Sequence, residues 1–201
     1  MLAAEGLGVR LGGRWLFRHV TFELVAGDVL GIFGPNGCGK STLLRTLADL
    51  HRPSEGRVGP PESLGYAAVD QALYRTLTAR EHLEFARDVR GAGRDPIDVL
   101  AEVELDYAAD VRAEAMSSGM RARLRLALAI QHAPSALLLD EPSATLDEAG
   151  RRVVGRIIAG QRQRGTVVLA TNDAAERGWA TLALDLGEAT VGGSDRPGVA
   201  A

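Results

Sequence analysis

Cysteine is nearly missing from this chain. Cys38 is the single one in 201 residues, so no internal disulfide can form, which suits a reducing, cytosolic compartment. An excess of either charge is missing too. The formal net charge is −3 and the pI is near 5.8, so no basic field favours nucleic acid, which is not an expected partner. Long apolar runs are also lacking. A membrane helix needs about 18 uninterrupted apolar residues, and the nearest approach, residues 124–130, is short and broken by Arg125. Met1-Leu2-Ala3-Ala4-Glu5 has neither the basic start nor the apolar centre of a signal peptide. These absences predict a soluble protein whose membrane role, if it has one, comes through a partner. The remaining composition, 46% hydrophobic and 24% charged, is ordinary for one compact domain with at most a small subdomain.

Against that plain background, residues 34–42 read GPNGCGKST. Gly34, Gly39, Lys40 and Ser41 fit the phosphate-binding pattern G-x-x-x-x-G-K-[ST]. A short apolar run, residues 29–33, precedes it, and apolar residues at helical spacing follow Lys40. Strand, glycine loop, helix is what phosphate binding requires: backbone N–H groups of Gly34 to Thr42, including those of Asn36, Gly37 and Cys38, converge on the phosphates, and Pro35 needs none. The helix N-terminus adds partial positive charge. Lys40 would reach the β- and γ-phosphates, and the Ser41 hydroxyl would ligate Mg²⁺. Cys38 serves as a small loop residue, with a redox-sensing role as the alternative.

Strands are expected at residues 16–24, 29–33, 65–69, 136–140, 166–171 and 181–186. Helices are expected from Lys40 to about Leu50, over 78–89, after Asp95-Pro96, over 118–133 and over 147–164. Thr78 with Glu81 makes a capping box for the second of these. Residues 52–63 carry three prolines and two glycines, so they read as loop with at most one brief strand. Strands of continuous aliphatic character alternating with helices predict an α/β fold, a mostly parallel sheet covered on both faces.

A second motif reinforces the first. Residues 136–142 read ALLLDEP, a buried strand delivering Asp140 and Glu141 to the edge where α/β folds bind ligands. Asp140 would hold Mg²⁺, and Glu141 would polarise the attacking water as general base.

From residue 1 to about 186 the chain resembles the nucleotide-binding subunits of ABC transporters. The resemblance implies a P-loop NTPase of that type, with a small antiparallel N-terminal sheet and an inserted helical lobe. One ATP-binding domain would span 1–191, with its core in 1–70 and 134–191 and the lobe in 71–133; a flexible tail would occupy 192–201. Gln71 matches the glutamine that touches Mg²⁺ and senses the membrane subunit. Ser117, Ser118, Gly119 and Met120 stand where the family has its signature and would contact ATP bound to an opposing copy. Arg123 matches the recurrent arginine of the next helix, and Leu146-Asp147 belong to the loop crossing the dimer interface. Asn172 occupies the switch position. Partners implied are a second ATP-binding subunit, in a homodimer, and an integral membrane subunit, which would dock its helix near Gln71, Leu73, Tyr74 and Leu77. That places the chain in the cytoplasm, peripheral on the inner face of the membrane.

Three departures bear on activity. Asn172 replaces the family's histidine and cannot become cationic; losing that contact implies turnover slower by about one to three orders of magnitude. Ser118 and Met120 replace a glycine and a glutamine. Leu11 sits where relatives place an adenine-stacking aromatic, with Trp15 a nearby substitute. The retained Lys40, Gln71, Asp140 and Glu141 favour an ATPase; a weakly hydrolysing nucleotide switch is the alternative. Short length, LFRHVTFEL followed by AGD, and TLTAREHLEF after Gln71 resemble the ATP-binding subunit of the haem-exporter type transporter of bacterial cytochrome c maturation. A generic exporter ATPase of unknown cargo is the competing reading.

Overall fold

The sequence's two aliphatic strand motifs flank a third strand in a five-stranded parallel sheet. In the computed structural model, which describes residues 1–187 and 199–200, its order is β5 (Leu64–Ala68), β6 (Ala136–Asp140), β7 (Thr166–Ala170), β3 (Val29–Phe33), β8 (Leu182–Asp185). Every residue of β3, β6 and β7 is buried, because both faces are covered. On one face, Leu137, Leu139, Val167 and Leu169 pack against α4 (Ser118–Ile130) and α5 (Glu148–Arg162). On the other, Leu138, Val168 and Ala170 meet Leu43, Leu44 and Leu47 of α1 (Lys40–Leu47).

A second, antiparallel sheet covers α1 from outside, in the order β4 (Glu55–Gly59), β1 (Leu2–Leu11), β2 (Arg14–Leu24), β9 (Val199–Ala200). Strand β1 went unrecognised in the sequence. Its buried residues Leu2, Ala4, Leu7 and Val9 alternate only after allowance for a register shift between Ala4 and Leu7, where Gly6 adopts φ 57°. The extra residue breaks the period of two that marks a strand.

Between β5 and β6 lie α2 (Ala79–Arg90), α3 (Pro96–Glu102) and α4. The Thr78 hydroxyl accepts from Glu81 N at 3.1 Å, and the Glu81 carboxylate accepts from Thr78 N at 2.8 Å, the reciprocal cap read from the sequence. Helix α4 ends at Ile130, three residues before its expected end, and α1 at Leu47. These helices share one apolar core with the parallel sheet: Leu83, Val99 and Leu124 cluster with Leu137 and Leu139. Most of the expected flexible tail, residues 192–198 and 201, lies outside the described residues; Val199 and Ala200 pair with Phe22 and Thr21.

The close approach of α4 to β5 depends on Gly65. A Cβ there would sit 2.1 Å from the Ala129 carbonyl oxygen, a rigid backbone atom. Gly65→Ala is therefore expected to destabilise the fold by about 2–3 kcal/mol through overpacking, seen as a melting temperature lower by roughly 5–10 °C.

Candidate functional site: a phosphate cradle at three strand ends

Register brings the chemistry together. Ile32 of β3 and Asp140 of β6 both pair with Ala170 of β7, so the residues following the three strands emerge side by side. Because α1 packs across β6 and β7, its first turn lies over the end of β6. The Ser41 hydroxyl accordingly donates to Asp140 Oδ1 at 3.1 Å.

The loop entering α1 is built from glycines in conformations that side chains resist. Gly34 and Gly39 adopt φ 134° and 112°, and a Cβ on Gly34 would come within 2.8 Å of Cys38 Sγ. Leu16, Asn36, Gly37, Lys40, Thr42 and Glu141 are among the residues around a cavity of about 260 Å³ over this loop. Lys40 is only 6% exposed. Its Nζ donates to Gly34 O at 2.9 Å, to Pro35 O at 3.4 Å and to Asn172 Oδ1 at 2.9 Å, while Asn172 Nδ2 donates to Asn36 Oδ1. Asn172 thus spans the cradle from β7.

The acidic tip differs in its two members. Asp140 is buried, and that burial pushes its carboxyl pKa up, against the Ser41 hydrogen bond and the Arg45 and Lys40 charges that lower it. Glu141 N donates to Ala170 O at 2.9 Å, yet its φ is 50°, a left-handed backbone costing roughly 1–3 kcal/mol in a non-glycine residue. The turn this creates sends the carboxylate to the cavity, where Asn172 N donates to Oε2 at 3.4 Å. Ser41 and Asp140 offer adjacent hard oxygen ligands of the kind Mg²⁺ prefers. Among the described residues no cluster of three or more His, Cys, Asp or Glu side chains is available for a metal. A cation here would therefore complete its coordination with phosphate and water oxygens, besides any amide side chain that reaches it.

Other expected site residues lie elsewhere. Gln71 lines a groove of about 250 Å³ with Leu73, Tyr74, Phe85 and Val89 rather than the phosphate cavity; its Oε1 is buried without a partner. Leu77 is not part of that groove; its carbonyl accepts from Ala113 N at 2.9 Å. Ser117, Ser118, Gly119 and Met120 do not line their own chain's cradle. They form the start of α4, where the Ser117 hydroxyl accepts from Met120 N at 3.1 Å. Gly119 packs beside Thr145 and Leu146, and Arg123 lies 4.0 Å from Asp147. Leu11 is 46% exposed on its hairpin. Trp15 borders a groove of about 840 Å³ beside Asn36, Gly37 and Cys38, with the Arg18 guanidinium 4.3 Å from its ring centre. Near the acidic tip, Ser143 and Glu176 are buried polar residues without a sequence signal, and Ser143 Oγ donates to Glu176.

A glycine-lined cradle, a buried lysine and an acidic strand tip define a P-loop nucleoside triphosphatase. The family model described as "ABC transporter" matches residues 17–144. Curated relatives include the cytochrome c biogenesis ATP-binding export protein CcmA of Hyphomonas neptunium, 35% identical over 87% of this chain and 91% of that one. A second protein of that name, from Cupriavidus metallidurans, is 39% identical over 93% and 97%. Among solved structures, a dimeric bacterial ABC transporter cassette, MJ0796, has a TM-score of 0.82 at 22% identity, covering 93% of this chain and 95% of that one. This chain belongs to the ABC transporter family, as an ATP-binding subunit and ATPase.

Proposed function

We propose that this chain drives the export step of bacterial cytochrome c biogenesis, as the ATP-hydrolysing subunit of a haem-exporter type transporter. Its similarity to the CcmA proteins over nearly its whole length supports that system over a generic exporter. The observation that carries the hydrolytic reading is the convergence of Lys40, Ser41, Asp140, Glu141 and Asn172 at three adjacent strand ends.

In this reading the loop N–H groups from Gly34 to Thr42 enclose the phosphates, and Lys40 turns its Nζ from Asn172 to the β- and γ-phosphates. Ser41 and Asp140 would hold Mg²⁺, with Gln71 reaching in from the groove as a further ligand; when bound, the cation would supply charge neutralisation for the phosphoryl group. Glu141 accepts a proton from the attacking water. Ser117, Ser118, Gly119 and Met120 do not line their own cradle, and in this reading they serve the ATP of a second copy, aiming the α4 N-terminus at its phosphates. Leu146 and Asp147 sit beside them at the dimer interface. The lobe of residues 71–133 presents the Tyr74, Phe85 and Val89 groove, exposed and apolar, to a helix of the membrane subunit. Through that contact the chain sits on the cytoplasmic face of the membrane. A deletion strain should lose mature c-type cytochromes, detected by haem staining, and regain them with the wild-type gene. Normal cytochromes in the deletion strain would overturn the export assignment.

Asn172 sets the pace. Its amide oxygen accepts from Lys40 and its amide nitrogen donates to Asn36, so Lys40 must leave it to reach a phosphate, and Nδ2 has one N–H left to offer a γ-phosphate. Neutral Asn also lacks the charge that strengthens such a contact. Asn172→His is expected to raise steady-state phosphate release by about tenfold or more. Equal rates in the two proteins would remove this explanation.

A further inference from the structure

Glu176 is a buried carboxylate that nothing above employs. It opens a short helical turn, Glu176–Trp179, after β7, and is 1% exposed. Ser143 Oγ donates to its Oε1, while Oε2 is buried with no partner. Burial pushes its pKa up. Asp173 and Glu141 push the same way, against the Thr171 hydroxyl and Arg151 of α5. A buried carboxyl with one oxygen unpartnered is costly to the fold.

Its connections explain its presence. Ser143 belongs to the tight turn that follows β6: Ala144 N donates to Glu141 O at 3.1 Å, and Leu146 N donates to Ser143 O at 3.0 Å. What holds Ser143 therefore holds Glu141. On the other side Glu176 N donates to Asp173 O at 3.1 Å, and Asp173 is tied to Arg151 of α5 at 2.8 Å. Asn172 stands in that same segment. The Ser143–Glu176 hydrogen bond is thus a side-chain tie between the turn bearing Glu141 and the segment bearing Asn172.

We propose that Glu176 is a positioning residue for hydrolysis, clamping these two segments so that Glu141 and Asn172 keep a fixed separation across the γ-phosphate. This rests on the ATPase reading and adds to it a residue that touches neither nucleotide nor water. Losing the clamp loosens the general base without disturbing the phosphate cradle, so it lowers kcat and spares KM.

The experiment is steady-state ATP hydrolysis by wild type, Glu176→Leu and Glu176→Gln. Leucine should lower kcat by about tenfold with KM for ATP within about threefold of wild type. Glutamine, whose amide oxygen still accepts from Ser143, should restore kcat to within about threefold of wild type. A Leu variant as fast as wild type, a Gln variant as slow as Leu, or a KM rising in step with the loss would each overturn the proposal. If the Leu variant does not fold, Ser143→Ala removes the donor alone: a kcat reduced several-fold at constant KM supports the clamp, and an unchanged kcat refutes it. Absence of hydrolysis in the wild type itself would instead strike the ATPase reading.

Discussion

Glu141→Gln is expected to lower ATP turnover by about 10²–10⁴-fold, the usual contribution of a general base, while ATP still binds. The carboxylate is not among the groups holding Lys40 or Ser41 in place. Its left-handed backbone and its contact with Asn172 N at 3.4 Å bring it to the cavity wall from the end of β6, apart from the glycine loop. Gln preserves shape and the acceptor oxygen but cannot take a proton at neutral pH. Phosphate release should therefore collapse while equilibrium nucleotide binding changes by less than about threefold. A parallel loss of binding would mean that Glu141 supports the fold of the site, not the chemistry.

Lys40→Ala should have the opposite signature, with nucleotide binding failing first. The ammonium is almost wholly buried and has three acceptors, so it is held in place before any phosphate arrives. Hydrogen bonds to a charged group contribute roughly 1.5–3 kcal/mol each. Losing the phosphate contacts should weaken ATP binding by about 10²-fold or more, measured by titration of fluorescent nucleotide. The melting temperature should move little by comparison, since α1 is anchored by Leu43, Leu44 and Leu47. Unaltered ATP affinity would remove Lys40 from the phosphate site.

How far the sequence revealed these residues follows from the range of the forces involved. The cradle is local: glycines at fixed offsets, a lysine and a helix start lie within nine residues, so spacing alone carries the geometry. The Thr78–Glu81 cap is local in the same sense. Asp140 and Glu141 were legible because an unbroken aliphatic strand can only be buried, and its polar end must then emerge at an edge. Strand β1 was hidden by the irregularity at Gly6, which shifts its alternation by one residue. Glu176 had no signal at all. Its burial arises from where β7, α5 and the turn after β6 meet in space, and a glutamate in an otherwise polar stretch looks solvated. Gln71 was identified by its place in the chain, but its side chain rests in the neighbouring groove.

In the proposed function the cradle encloses one side of a triphosphate, and the start of α4 does not line it. Covering the other side of each nucleotide therefore calls for two chains around two nucleotides. The most direct test is the mass of purified Glu141→Gln protein with and without MgATP, by light scattering coupled to size-exclusion chromatography, with bound nucleotide counted in the same peak. The expected result is a monomer that becomes a dimer holding one ATP per chain, and Ser117→Arg, at the N-cap of α4, should abolish that shift. A protein that stays monomeric at saturating MgATP, or dimerises without nucleotide, would contradict it.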